Sequence, residues 1–332
     1  MKLILFLILV CYLLFILFNL VLKMRVSNHS NKFVKKTIQK LKLSKVLKAQ
    51  SQGWAVTSFK TNKSILEFSN KMIPQQKWFQ IKDKECSGVA DPFLIKEKET
   101  YYLFFEYEYH KELNKGADLA YATSNDGLMW KYQQKIIEEP FHQSFPNIFK
   151  VDKEFYILPE SYQSNQVRLY KVINFPNEWE LDTVLFEGEQ FVDTIFIEKE
   201  GVYYWMTTNL KTDTLELYYS GGLKEKWILH PSSPISNSLE NNRNAGKIIL
   251  ENNTMYRVAQ DGRKGYGAGV NLYEIIALTK TKYQEVLVKE KLFFKEEGRV
   301  KDALHHISIL EDDNLMAVDG ANFGINGVIL NK

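Results

Sequence analysis

The chain reads as an all-β, five-bladed propeller preceded by one transmembrane helix. Two observations carry that reading: a strand–turn–strand plan that recurs five times, and an uncharged apolar run at the N-terminus. Composition agrees, since 21 Phe and 18 Tyr in 332 residues favour strands and no long polar tract breaks the chain.

Residues Leu3 to Leu22 form the apolar run. About 20 residues suffice to cross a bilayer core of roughly 30 Å as a helix. The segment that follows offers no small-residue cleavage site, so residues 1–23 are expected to remain as a single-pass anchor. The 43 Lys/Arg and 40 Asp/Glu leave a net charge of +3, yet twelve of the basic residues precede Glu67 with no acid among them. The positive-inside rule therefore favours a cytoplasmic body, with an extracytoplasmic one as the alternative. Residues 24–49 form a basic juxtamembrane segment, either a helix lying on anionic headgroups or a solvated stalk. Residues 67–332 carry about −9, which excludes nucleic acid as a partner by charge. Two cysteines, Cys11 and Cys86, imply no disulfide framework.

Residues 50–332 are expected to form the propeller. The five cores are "ADPFLIKEKETYYLFFE" from Ala90, "FPNIFKVDKEFYILPES" from Phe145, "FVDTIFIEKEGVYYWMTTN" from Phe191, "NAGKIILENNTMYRVAQDG" from Asn244 and "HHISILEDDNLMAVDG" from His305. They start roughly 45 to 60 residues apart, the period of a four-stranded blade. Outer strands fill the intervals, as in "ADLAYATSNDGLMWKY", where an Asn-Asp-Gly turn reverses the chain. The fifth blade runs out after Gly320. "WAVTSF", Trp54 to Phe59, alternates suitably to close it and remove the exposed edge.

In each blade the second strand returns antiparallel, so its end lies beside the start of the first. Two rings of polar residues should thus meet at one mouth: Asp91, Asn147, Asp193, Asn244 and His306 from the starts, Glu106, Glu160, Asn209, Asp261 and Asp319 from the returns. Any one of them could be a solvated turn residue, but carboxyl groups gathered on a rigid scaffold suit glycoside chemistry. One carboxyl protonates the leaving oxygen, and another activates water or attacks the anomeric carbon. Asp91 is the favoured base or nucleophile, with Glu160 or Asp193 as acid. Glu106, Asn147, Asn209, Arg257, Gln260, Asp261, Tyr266, His306 and Asp319 are the expected substrate contacts. Adjacent side chains on a strand face opposite ways, so His305 is expected to point away from the mouth, and the pair is not at metal-chelating spacing.

"ADPFLI…YYLFFE", "FPNIF…YILPES" and above all "YRVAQDGRKGYG" resemble the propeller domain at the N-terminal side of plant glucosamine inositolphosphorylceramide transferases and its stand-alone bacterial relatives. That domain is similar in turn to the five-bladed glycosidase clan of arabinanases, β-xylosidases and invertases. The resemblance covers roughly residues 88 to 325, with Arg257, Gln260, Asp261, Tyr266 and Gly267 its most specific element. It implies Asp91, of Asp91-Pro92, as general base. Asn147 and Asp193 stand where the clan has an Asp and a Glu, so its hydrolytic triad is not intact. It also implies an axial calcium or water site near His306, with no cofactor required. The expected function is glycoside hydrolase-like action on a cell-envelope polysaccharide or lipid-linked saccharide. The alternatives are glycosyl transfer in polysaccharide or glycolipid assembly, and a non-catalytic glycan-binding scaffold. Glycan, membrane and envelope-assembly proteins are the expected partners.

Overall fold

A computed structural model of the chain describes residues 53–296 and 300–322. Five antiparallel sheets follow one another in sequence order. The first blade is β2 (Cys86–Glu97), β3 (Thr100–Tyr109), β4 (Ala117–Ser124) and β5 (Lys131–Ile137), and the second is β6 (Ser144–Val151), β7 (Glu154–Glu160), β8 (Gln166–Asn174) and β9 (Glu178–Glu187). The third comprises β10 (Phe191–Lys199), β11 (Val202–Asn209), β12 (Thr214–Ser220) and β13 (Ile228–Leu229). In the fourth, the inner strand is split into β14 (Arg243–Asn244) and β15 (Ile249–Glu251), both pairing with β16 (Thr254–Gln260), and β17 (Gly269–Leu278) and β18 (Tyr283–Phe294) lie outside. Each hairpin joins an apolar, alternating pair of strands through a short polar turn, which is why the repeat was readable.

The last blade closes as the alternation of Trp54–Phe59 requires. β19 (Ile307–Leu310) and β20 (Leu315–Ala321) supply its inner strands, and β1 (Trp54–Lys60) pairs antiparallel with β20 from Trp54 opposite Ala321 to Lys60 opposite Leu315. Val56 also exchanges two backbone hydrogen bonds with Phe79, a stub of a fourth strand. Pairing the N-terminal strand to the C-terminal blade satisfies the edge of β20 and ties the ring. Among the described residues no helix is long and apolar enough to cross a membrane. The expected span Leu3–Leu22 and basic segment 24–49 lie outside them.

The inner strands of the first three blades share one distortion that sets the site. Pairing is interrupted between Ala90 and Phe93, between Ser144 and Asn147, and between Val192 and Ile195. Each interruption holds one residue in the left-handed region: Asp91 at φ 50°, Phe145 at φ 48° and Asp193 at φ 51°. A bulge of this kind re-aims a side chain or an N–H out of the ladder, and a bulky residue held there is strained. Asp91, Phe145 and Asp193 are therefore equivalent, and Asn147 corresponds to Phe93 and Ile195, deeper in the blade. Here the expected equivalence of Asn147 with Asp91 is corrected. Asn147 is 1% exposed and its amide donates to the Thr194 carbonyl at 3.3 Å. It holds the second blade to the third.

Candidate functional site: a carboxyl-lined axial funnel

Asp91, Glu106, Glu160 and Asp193 converge where the starts of β2 and β10 meet the ends of β3 and β7. Backbone N–H groups tie Asp91, Glu160 and Asp193 to the neighbouring blades. Asp91 N–H donates to Asp319 Oδ2 at 3.3 Å, Phe145 N–H to Asp91 Oδ2 at 3.1 Å, and Asp193 N–H to Glu160 Oε2 at 3.3 Å. Left-handed bulges thus turn one N–H group in each of the first three blades toward a carboxylate of an adjoining blade.

Two side chains that the strand pattern gave no reason to choose complete the mouth. His142, in the crossing from β5 to β6, places Nε2 3.8 Å from Glu106 Oε1 and 3.9 Å from Glu160 Oε1. Gly116, at φ 74°, makes room for it, since a Cβ there would lie 3.1 Å from the His142 ring. Arg243 donates from Nε to Asp193 Oδ2 at 2.6 Å, and Gln260 Nε2 reaches the same oxygen at 3.1 Å. The signal for Arg243 was its place directly before Asn244, at the start of the fourth blade.

Under the mouth lies a compact ionic group. His305 Nδ1 is 2.7 Å from Asp319 Oδ2, and its Nε2 is 3.4 Å from Asp91 Oδ1. Both residues are buried, so the expectation that His305 points away is overturned. The cause is local: β19 begins only at Ile307, so strand alternation does not yet govern His305. Asp319 Oδ1 also accepts the His305 and His306 backbone N–H groups at 3.0 Å each. His306 is 1% exposed, its ring 4.7 Å from that of Phe93 and 5.0 Å from that of Phe145, so it plugs the axis rather than facing the opening. Asp319 is likewise fully buried and supports the site from below.

Protonation divides these groups. Burial works to raise Asp91, but contact with His306 and the charge of His305 outweigh it and hold the carboxyl at about 2. Burial would lower His305, yet the charge and contact of Asp319, with Asp91 behind, lift it to about 9. It is an imidazolium at neutral pH. Burial and the neighbouring Asp193 push Glu160 up to about 8, against the pull of Arg243. Glu106 is pushed well above the carboxylate range by burial and the charges of Asp91, Glu108 and Glu160. Burial also raises Asp193, opposed by the Arg243 charge and hydrogen bond. We take Asp193 as the ionised member beside Glu160, because a guanidinium at 2.6 Å favours its charged form. Burial lowers His142 and leaves it neutral.

Three expected substrate contacts are occupied elsewhere. Arg257 is fully buried, paired with Glu285 at 2.6 Å and bonded to Asn244 Oδ1 and the Asn241 carbonyl, so it braces the fourth blade from within. Asp261 is clamped by Arg263 at 2.8 and 2.7 Å, and the neighbouring Gln260 is the residue that reaches the cluster. Asn209 caps its own turn, accepting from Lys211 N–H at 3.0 Å and donating to Glu216 at 3.1 Å. Tyr266 stands at the mouth. It is 58% exposed, its ring 4.9 Å from His305 and 5.6 Å from the Arg243 guanidinium carbon. Gly267 at φ 70° lets that loop press on the chain before His305, for a Cβ would lie 2.5 Å from Ala303 Cβ.

An axial calcium near His306 would draw its ligands from the group beneath the mouth. Asp91, His305 and Asp319 offer atoms within 4.8 Å of one another. Calcium takes six to eight oxygens, whereas this set offers one histidine nitrogen and two carboxylates that already accept backbone N–H groups. The donor set is poor in free oxygens for calcium.

The fold and cluster together define a five-bladed propeller whose axial funnel is lined by buried carboxyl groups with unlike hydrogen-bond partners. The chain belongs to the family described as glucosamine inositolphosphorylceramide transferase 1, N-terminal, whose model matches residues 60–318. It is 29% identical over 272 residues to the protein of that name from Arabidopsis thaliana, covering 79% of this chain and 34% of the relative. The counterpart from Oryza sativa subsp. japonica is 32% identical over 220 residues, 64% of this chain and 29% of the relative. This chain thus spans about a third of the relatives it matches. Among solved structures, an α-L-arabinofuranosidase from Podospora anserina in complex with cellotriose superposes with a TM-score of 0.52 at 13% identity, over 82% of this chain and 98% of that one. That likeness concerns the fold.

Proposed function

We propose that the funnel acts on a glycan, with Glu160 as general acid and Asp193 as the facing carboxylate. The observation that carries the reading is the unlike surroundings of two neighbouring buried carboxyls: Asp193 accepts from Arg243 and Gln260, whereas Glu160 accepts the Asp193 N–H. Glu160 holds its proton to about pH 8, and Asp193 is kept charged by Arg243 and Gln260. Groups whose surroundings push them apart in this way are suited to opposite roles. In the proposed step Glu160 gives its proton to the leaving glycosidic oxygen. Asp193 takes a proton from the attacking hydroxyl or water, or bonds the anomeric carbon itself. Asp91, whose Oδ2 accepts the Phe145 N–H and whose Oδ1 lies 3.4 Å from His305 Nε2, is held at about 2 and serves as a fixed negative charge that stabilises the oxocarbenium-like transition state rather than as a base. The exposed Tyr266 ring offers a sugar face.

The names of the relatives favour transfer over hydrolysis, with an acceptor hydroxyl in place of water. Either course uses the same two carboxyls. We further propose that Leu3–Leu22 anchors the chain and sets the funnel near a membrane, where a lipid-linked saccharide would be presented. The full chain should be screened against envelope polysaccharides and lipid-linked oligosaccharides, with sugar release and sugar transfer followed separately. Glu160→Gln and Asp193→Asn are each expected to lower turnover by at least about 100-fold. Folded variants with undiminished turnover would refute the roles assigned. A topology reporter fused at the C-terminus tests the anchor, which fails if the chain stays in the soluble fraction.

A further inference from the structure

We propose that the face opposite the funnel carries a second binding site: a cleft between the third and fourth blades that takes a small amphiphile with one carboxylate, its anionic head on Lys247. The site does not depend on the chemistry of the funnel. β10 leaves the mouth at Asp193 and reaches its turn after Lys199, and a rise of about 3.3 Å per residue puts that turn roughly 20 Å from the mouth. β15 ends beside it in a turn of its own, and a cleft of about 490 Å³ opens between the two hairpins. Phe196, Ile248, Leu250 and Met255 give it an apolar wall, and Lys199 and Lys247 line it too. A volume of this size suits a small ligand.

Lys247 is unlike its counterparts. The innermost hairpins of the first four blades turn alike, with Glu97 opposite Thr100, Val151 opposite Glu154, Lys199 opposite Val202 and Glu251 opposite Thr254. Counted back equally from each turn, Phe93, Asn147 and Ile195 hold the position that Lys247 holds in the fourth blade. Phe93 and Ile195 are fully buried, and the Asn147 amide is bonded to the Thr194 carbonyl, so of these four the fourth blade alone places an ammonium there. The chain is fixed at that point. Ile307 N–H donates to the Ala245 carbonyl at 2.8 Å, and Gly246, at φ 141°, lies so close to β19 that a Cβ would strike the Ile307 carbonyl oxygen. Lys247 Nζ stands 5.7 Å from the centre of the Phe93 ring, and among the described residues it has no hydrogen bond and no ion pair. Burial pulls the amine down to about 8, and the Glu311 charge opposes this without offsetting it. At neutral pH Lys247 is thus still an ammonium, half-buried beside an apolar wall. Lys199, by contrast, donates to the Leu278 carbonyl at 3.1 Å and lies 3.9 Å from Glu200. Glu198 and Glu200 are exposed, and one ammonium in their company matches a single negative charge rather than a dianion. A carboxylate on Lys247 supplies the missing charge-assisted bond, while an apolar body covers Phe196, Leu250 and Met255.

The test uses the full chain in a non-ionic detergent at about pH 8, where the Lys247 amine reacts. Labelling by trace acetic anhydride is read lysine by lysine by mass spectrometry with benzoate, benzamide or acetate present. Benzamide has the shape of benzoate without its charge, and acetate has the charge without the apolar body. Benzoate is expected to protect Lys247 at about tenfold lower concentration than either, with Lys199 labelled at an unchanged rate. Equal protection by benzamide overturns the anionic head, equal protection by acetate overturns the amphiphile, and protection by none of the three overturns the site. Lys247→Met keeps the apolar stem and removes the charge, so calorimetry should show benzoate binding no tighter than benzamide. A preference that survives the variant refutes the assignment to Lys247. Should the variant not fold, labelling of the unaltered chain decides alone. Sugar release and transfer at the funnel are read separately and are unaffected by any of these outcomes.

Discussion

His305 provides the sharpest stability prediction. Its folded value of about 9 lies above the ordinary 6.5, because Asp319 and Asp91 hold the imidazolium in a site from which water is excluded. A raised value stabilises the fold fully below pH 6.5, and that contribution is lost as pH rises through 9. The interval corresponds to about 3 kcal/mol, or roughly 6–12 °C in Tm for a chain of this size. Glu160 titrates over an overlapping range, so the quantity to read is the difference between the unaltered chain and His305→Gln. Calorimetric melting from pH 5 to 10 should show the variant less stable by that amount at pH 6, with the gap closing by pH 10. A gap that is constant with pH, or absent at pH 6, would refute the ionic group beneath the funnel.

Two further substitutions test the supports of the mouth. Arg257→Ala leaves Glu285 buried without its partner, and a loss of about 3–5 kcal/mol is expected in urea titrations even though the residue touches no ligand. Gly267→Ala places a Cβ against Ala303 at a left-handed φ. It should cost about 1–3 kcal/mol and weaken sugar binding through the displaced Tyr266 loop, measured by melting and by probe titration.

The propeller was legible because its signals are periodic: alternating strands, charged turns, and a spare N-terminal strand with the right pattern. The bulges were not. A bulge adds a residue to one strand without changing the apolar rhythm, so Asn147 seemed to match Asp91 when Phe145 does; the shared proline, Pro92 and Pro146, was the available clue. The same slippage at strand ends gave the ring position to Asp261, whereas Gln260, expected beside it as a substrate contact, is the one that reaches Asp193. His142 and Arg243 escaped because they lie outside the alternating cores, where position depends on the path between blades. Arg257 looked functional because a buried guanidinium and a ligand-binding one have the same letter, and only Glu285, 28 residues away, tells them apart.

The proposed chemistry requires a protonated Glu160 beside an ionised Asp193. Carbon-13 labelling of Glu and Asp carboxyls, with Glu160→Gln and Asp193→Asn used for assignment, measures it directly. The Glu160 resonance should titrate near pH 8 while that of Asp193 shows the charged form at pH 7. Titration of Glu160 in the ordinary range near 4.5, with both carboxyls charged at neutral pH, would contradict the account.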